Sequence, residues 1–184
     1  MYFNILWPER FAENFKERGR LMSTPKSIRV YDYVNHRYED VRQALTGDTT
    51  AVFQNATRVA AQRAETVASE LHVKLAGIEV GAEIEITVNS IEDIPKEPMR
   101  SPMTRIELEW AAAKMPRLFP LMKAELTVYP LTSTETQLNL EGKYEPPLGI
   151  IGGALDAVAG HRIAEASVHR FIKDIAVYLR AEIS

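Results

Sequence analysis

Residues 137–183 read QLNLEGKYEPPLGIIGGALDAVAGHRIAEASVHRFIKDIAVYLRAEI. At its start Leu138 and Leu140 alternate with Gln137, Asn139 and Glu141, the two-residue period of a strand with one face in water. Glu145, Pro146 and Pro147 end that strand, and no proline follows from Leu148 to Ile183. Gly149, Gly152 and Gly153 weaken the first turns, but from Ala154 onward the period is helical. Ile150, Ala154, Ala157, His161, Ala164, Val168, Phe171, Ile175 and Tyr178 step by threes and fours, forming one stripe along a helix of roughly 45 Å. Such a helix is long enough to cover a whole sheet.

Upstream, further segments alternate in the same way. Leu71, Val73 and Leu75 alternate with His72 and Lys74; Ile84, Ile86 and Val88 with Glu83, Glu85, Thr87 and Asn89. Gly77 to Gly81 reads as the hairpin between them. Thr104, Ile106, Leu108 and Trp110 alternate with Arg105, Glu107 and Glu109, and Met122, Ala124, Leu126 and Val128 with Lys123, Glu125 and Thr127. Clean alternation belongs to an antiparallel sheet with one solvated side. On the outer set Arg105, Lys123 and Lys143 offset Glu83, Glu107, Glu125 and Glu141. The inner set reads as apolar, so the sheet is expected to offer no titratable group to a pocket. Segment 91–102, with Pro95, Pro98 and Pro102 among charges, reads as a loop.

Before the sheet, Ile28 to Val34 is a strand by its β-branched and aromatic residues, and Asn35 is placed to cap a helix. Tyr38, Val41 and Leu45 fall at helical spacing before Gly47, and residues 51–64 form a second, Ala-rich helix with Val52, Ala56, Val59 and Ala60 on one face. Residues 1–26 read as an appendage: Pro8, Glu9, Phe11, Phe15 and Gly19 have the placement of a short amphipathic helix. That helix either docks on its own domain, residues 27–184, or presents Trp7, Phe11 and Phe15 to a partner, including a second copy in a homodimer.

The element order and the run Gly142-Lys143-Tyr144-Glu145-Pro146-Pro147-Leu148-Gly149 resemble the helix-grip fold of the START-like, or SRPBCC, superfamily, which includes polyketide cyclase-like and birch-pollen-allergen-like proteins. The resemblance covers residues 27–184. It implies an α+β domain in which a curved antiparallel sheet of six or seven strands wraps around the long C-terminal helix, with two short helices after the first strand. It also implies a cavity between sheet and helix for a small hydrophobic or amphipathic ligand; the superfamily contains both carriers and enzymes, so fold alone leaves activity open.

His161 stands out as a polar group on the sheet-facing stripe, with the small residues Ala154, Ala157 and Ala164 around it. It reads either as a polar handle for a ligand or as a histidine satisfied by the protein's own groups. Val168, Trp110, Leu108, Ile106, Ile86 and Phe119 complete the expected lining, and segments 91–102 and 113–120 are candidate gates. A cyclase- or dehydratase-type enzyme with His161 as acid/base is the alternative, and it lacks a second titratable group. His161, Glu165 and His169 recur every four residues, but the two histidines are about 12 Å apart along a straight helix, too far to share one zinc. Ion pairing with Arg162 and Arg170 is the better account. The glycines at the helix start match no phosphate-loop pattern.

Composition bounds these readings. The chain has 184 residues, 46% hydrophobic and 26% charged, a net charge of −3 and no cysteine. That suits one domain with a sizeable core, and excludes a disulfide framework and thiolate chemistry. Lys and Arg are interspersed with Asp and Glu, giving no basic stripe for nucleic acid. No apolar run reaches membrane-spanning length. A soluble cytoplasmic protein without metal or cofactor is expected.

Overall fold

A computed structural model describes residues 25–70, 84–112, 122–144 and 154–183 of the chain. The elements, in order, are β1 (Lys26–Val34), α1 (Tyr38–Gly47), α2 (Thr49–Glu70), β2 (Ile84–Ile94), β3 (Met103–Ala112), β4 (Met122–Pro130), β5 (Thr136–Tyr144) and α3 (Ala154–Glu182). The strands form one antiparallel sheet in the order β1-β5-β4-β3-β2, so the first strand pairs with the last. Five strands are present among the described residues, fewer than the six or seven expected. The strand read at Leu71–Leu75, its hairpin at Gly77–Gly81, the N-terminal appendage and segment 113–120 lie outside the described residues.

Three boundaries differ from the sequence reading. The second helix is not short: α2 continues through Val67 to Glu70. Helix-compatible residues without glycine or proline carry it past the point where the apolar period turns strand-like. Asn35 does not cap α1; the helix starts after Arg37 with no side-chain cap. The start of α2 is better served, because Asp48 Oδ1 accepts from the Ala51 amide at 3.2 Å. Finally, β2 runs on to Ile94 rather than ending before Ile91. The register shifts between Val88 and Ser90, a bulge that breaks the alternation without ending the strand. Only beyond Ile94 does the proline-rich stretch turn back, closed by paired backbone hydrogen bonds between Glu97 and Arg100.

The core lies between the inner sheet face and the helices. Its central cross-strand row, Val30, Leu140, Leu126 and Ile106, is fully buried. Phe171, Ile172, Ile175, Ala176 and Leu179 of α3 pack in the same core with Phe53 of α2 and Val41 and Leu45 of α1. Burial of each large side chain favours folding by about 1.5–3 kcal/mol. Phe171 stacks on Phe53 with ring centroids 5.9 Å apart and meets Trp110 edge-on at 4.9 Å. Gly142 is where the sheet needs a missing side chain: a Cβ there would lie 2.9 Å from Met122 Cε and 3.0 Å from Ala124 Cβ. Met122 therefore folds across the glycine of the neighbouring strand.

On the outer face Arg105 bridges Glu92 at 3.1 Å and Glu125 at 3.3 Å, Lys123 approaches Glu109 at 3.7 Å, and Arg29 pairs with Glu141 at 3.0 Å. The inner face is less uniform than the sequence implies. Thr104, Thr136 and Tyr144 are buried on it, and Asp32 and Asp93 occupy inner-side register positions near one end. Each has a partner from a helix, an adjacent strand or, for Thr136, the His36 carbonyl between β1 and α1. Arg180 of α3 donates to the Asp32 carboxylate at 3.1 Å and to the Tyr33 carbonyl. Tyr38 of α1 reaches Thr104, which donates to Asp93. Among the described residues no helix is long and apolar enough to cross a membrane.

Candidate functional site

Strand register assembles the site at the end of the sheet where β5 leads into α3. One inner-face row crosses from Tyr144 on β5 through Met122 on β4 and Trp110 on β3 to Ile86 on β2. The next row contains Gly142, Ala124 and Leu108, two of them very small. Trp110 and Ile86 are partly buried, whereas Leu108 and Ile106 are fully enclosed in the core. The Trp110 indole is held from two sides: its Nε1–H donates to Thr57 Oγ1 at 3.2 Å, and Phe171 contacts its ring.

Facing Tyr144 is His161, about two turns into α3. The Tyr144 hydroxyl lies 2.8 Å from His161 Nδ1. The rings are nearly parallel, 11° apart, with centroids separated by 6.2 Å. The two rings are thus offset-stacked, with the hydrogen bond joining their edges. On the other edge, His161 Nε2 is 3.3 Å from Glu165 Oε1, one turn further along α3. Burial first, and the Glu165 charge second, push the Tyr144 phenol up to about 12. The phenol therefore keeps its proton at neutral pH.

The three groups form a chain from a buried phenol through an imidazole to a half-exposed carboxylate. Glu165, read from the sequence as part of a charged flank, lies one turn along α3 within ion-pair distance of His161, and Arg170 approaches Asp174 at 3.9 Å. Sequence reasoning missed Tyr144. Its signal was present, because continuing the inward series Leu138, Leu140, Gly142 by one step reaches position 144. The sheet does contribute a titratable group, contrary to expectation, and His161 has two partners rather than none.

The other expected lining residues fall on either side of this chain. Ala164 is partly buried against the core and Val168 is buried within it. Ala154 and Ala157 belong to the first turns of α3, but their side chains, like Phe119, lie outside the described residues. His169 is exposed.

No protein-family model matches the chain, and no curated protein matches it. Solved structures do match. The Zhui aromatase/cyclase from Streptomyces sp. R1128 is 11% identical, with 87% of this chain and 94% of that chain covered and a TM-score of 0.37. Norcoclaurine synthase from Thalictrum flavum, solved with dopamine and hydroxybenzaldehyde, is 11% identical over 79% of this chain and 86% of that one, with a TM-score of 0.33. A conserved protein from Geobacillus kaustophilus is 10% identical over 86% and 98%, with a TM-score of 0.42. The fold itself follows from the topology. Among the described residues, a first strand paired to the last, two helices, a meander of four antiparallel strands and a long C-terminal helix on the inner face make this a helix-grip fold.

Proposed function

We propose that the domain binds a small hydrophobic or amphipathic molecule between the inner sheet face and α3, with the Tyr144–His161 pair as its polar anchor. The observation that carries this reading is the placement of that pair among Met122, Ala124, Gly142 and Trp110. A few polar groups in an apolar setting are what a small-molecule site requires. The other half of the inner face is occupied by Ile106, Leu126, Leu140, Phe171, Ile175 and Leu179, so the His161 half is where a guest is expected.

Native mass spectrometry of freshly purified protein, together with titration of an anilinonaphthalene sulfonate probe, tests the proposal. A co-purifying lipid-like species or saturable probe binding, weakened in His161→Leu, supports it. Protein that carries nothing and binds the probe without saturation overturns it.

The Tyr144–His161–Glu165 chain favours a second reading, acid–base catalysis of the cyclase or dehydratase type on the bound molecule. An imidazole held between a proton donor and a carboxylate has the oriented tautomer such chemistry uses. Under this reading a co-purified molecule returns chemically altered after incubation with the protein and unaltered with His161→Leu. Identical recovery from both excludes it.

A further inference from the structure

We propose that Tyr144 makes the site selective for ligands whose polar group donates a hydrogen bond, a hydroxyl or an N–H, over ligands that offer only an ether or carbonyl oxygen. This inference rests on the binding site proposed above and adds the polarity of the group it accepts.

The polarity follows from counting hydrogens along the chain. An ionised carboxylate only accepts, so the 3.3 Å approach of Glu165 Oε1 to His161 Nε2 calls for a hydrogen on Nε2. A neutral imidazole has one N–H, and Nδ1 is then a bare acceptor. With the imidazole neutral in this tautomer, the Tyr144 hydroxyl, 2.8 Å away, is the donor to it. The opposite tautomer would set the Nε2 lone pair against the carboxylate. A phenol has a single hydrogen, and here it is committed to His161. What Tyr144 retains for a guest is oxygen lone-pair capacity, so the phenol acts toward a ligand as an acceptor. Burial, which keeps the phenol protonated, preserves this arrangement at neutral pH.

A matched pair of probes on the full chain tests the inference: n-decanol, which donates, and decyl methyl ether, which does not. Affinities are read by displacement of the anilinonaphthalene sulfonate probe. One net hydrogen bond corresponds to a preference of about tenfold. The alcohol-to-ether affinity ratio in the wild type is therefore expected to exceed that in Tyr144→Phe by about tenfold. Glu165→Ala, on the half-exposed side of α3, releases the tautomer and is expected to lower the ratio while leaving the fold intact, which keeps the test available if Tyr144→Phe does not fold. Equal ratios in the wild type and both variants overturn the selectivity and leave the binding site standing. Failure of both probes to bind overturns the site and the selectivity together. Nitrogen NMR supplies a readout without ligand: a protonated Nε2 and an unprotonated Nδ1 on His161 support the inference, and the reverse tautomer overturns it.

Discussion

The Tyr144 hydroxyl and His161 Nδ1, 2.8 Å apart, join the last inward residue of β5 to α3. The bond spans only 17 positions of sequence, yet it ties the sheet to the helix that packs on it. The burial of that phenol, with the Glu165 charge beside it, should be visible at high pH. The folded-state pKa of Tyr144 is raised from 10.0 to about 12, so its contribution to stability is complete below pH 10 and is lost as pH rises through 12. Urea denaturation between pH 10 and pH 12 should show a steep loss in the wild type and a shallower one in Tyr144→Phe. Tyr38, also raised mainly by burial, and Tyr33, raised as well, act in the same direction and contribute to the residual slope. Parallel slopes in the two proteins would contradict the assignment.

The chain Tyr38–Thr104–Asp93 anchors α1 to the edge of the sheet. Thr104 Oγ1 donates to Asp93 Oδ1 at 2.7 Å, so the Tyr38 hydroxyl at 2.9 Å must be the donor to Thr104. Thr104→Val keeps the shape and removes the middle of the chain, leaving a buried phenol without its acceptor. The cost expected is about 1–3 kcal/mol in chemical denaturation. Adding Tyr38→Phe should recover part of that loss, because the stranded donor goes with it. A double variant no more stable than Thr104→Val would show that Tyr38 makes another interaction of equal weight.

Much of this architecture is written in side-chain period. The alternations at Ile106–Trp110 and Met122–Val128 and the stripe through Val168, Phe171 and Ile175 each name a buried face that the folded chain buries. Period alone fails where one residue resets it. The bulge near Asn89 hides the last part of β2 and with it the inner-side position of Asp93. Polar inner residues are similarly hidden, because a threonine or tyrosine on an apolar series becomes informative only when its partner is known. Tyr144 and His161 belong to different elements with different periods, and no spacing rule links them. Glu165 was legible only as a neighbour one helical turn from His161.

Phe171 is the residue where α2, α3 and β3 meet, through its ring contacts with Phe53 and Trp110. Truncation to alanine removes both contacts and leaves a cavity that neighbouring helices fill poorly. Phe171→Ala should therefore destabilise by about 3–5 kcal/mol, and Phe171→Leu by considerably less. Trp110 also loses one wall, so the tryptophan emission should shift to the red in the alanine variant, most clearly in a Trp7→Phe background that leaves Trp110 as the sole tryptophan. An unshifted spectrum in that background would place the indole's environment elsewhere than against Phe171.

Three carboxylates stand in one cross-strand row on the outer face: Glu107 opposite Glu125, and Glu125 opposite Glu141. Cations accompany two of them, since Arg105 approaches Glu125 at 3.3 Å and Arg29 pairs with Glu141 at 3.0 Å. Like charges directly opposite on neighbouring strands oppose pairing, by an amount comparable to what opposite charges contribute. Glu107→Lys converts the first pair of the row from repulsive to attractive and should raise stability by about 0.5–1 kcal/mol. Glu107→Gln removes the repulsion only and should fall between the two. Because these groups face solvent, the gain should shrink as salt is raised toward the molar range, where screening extends over only about 3 Å. Thermal denaturation of the three proteins at low and high salt separates this from a packing effect: a stabilisation of Glu107→Lys that persists unchanged in high salt would have to come from the lysine stem covering the sheet rather than from charge.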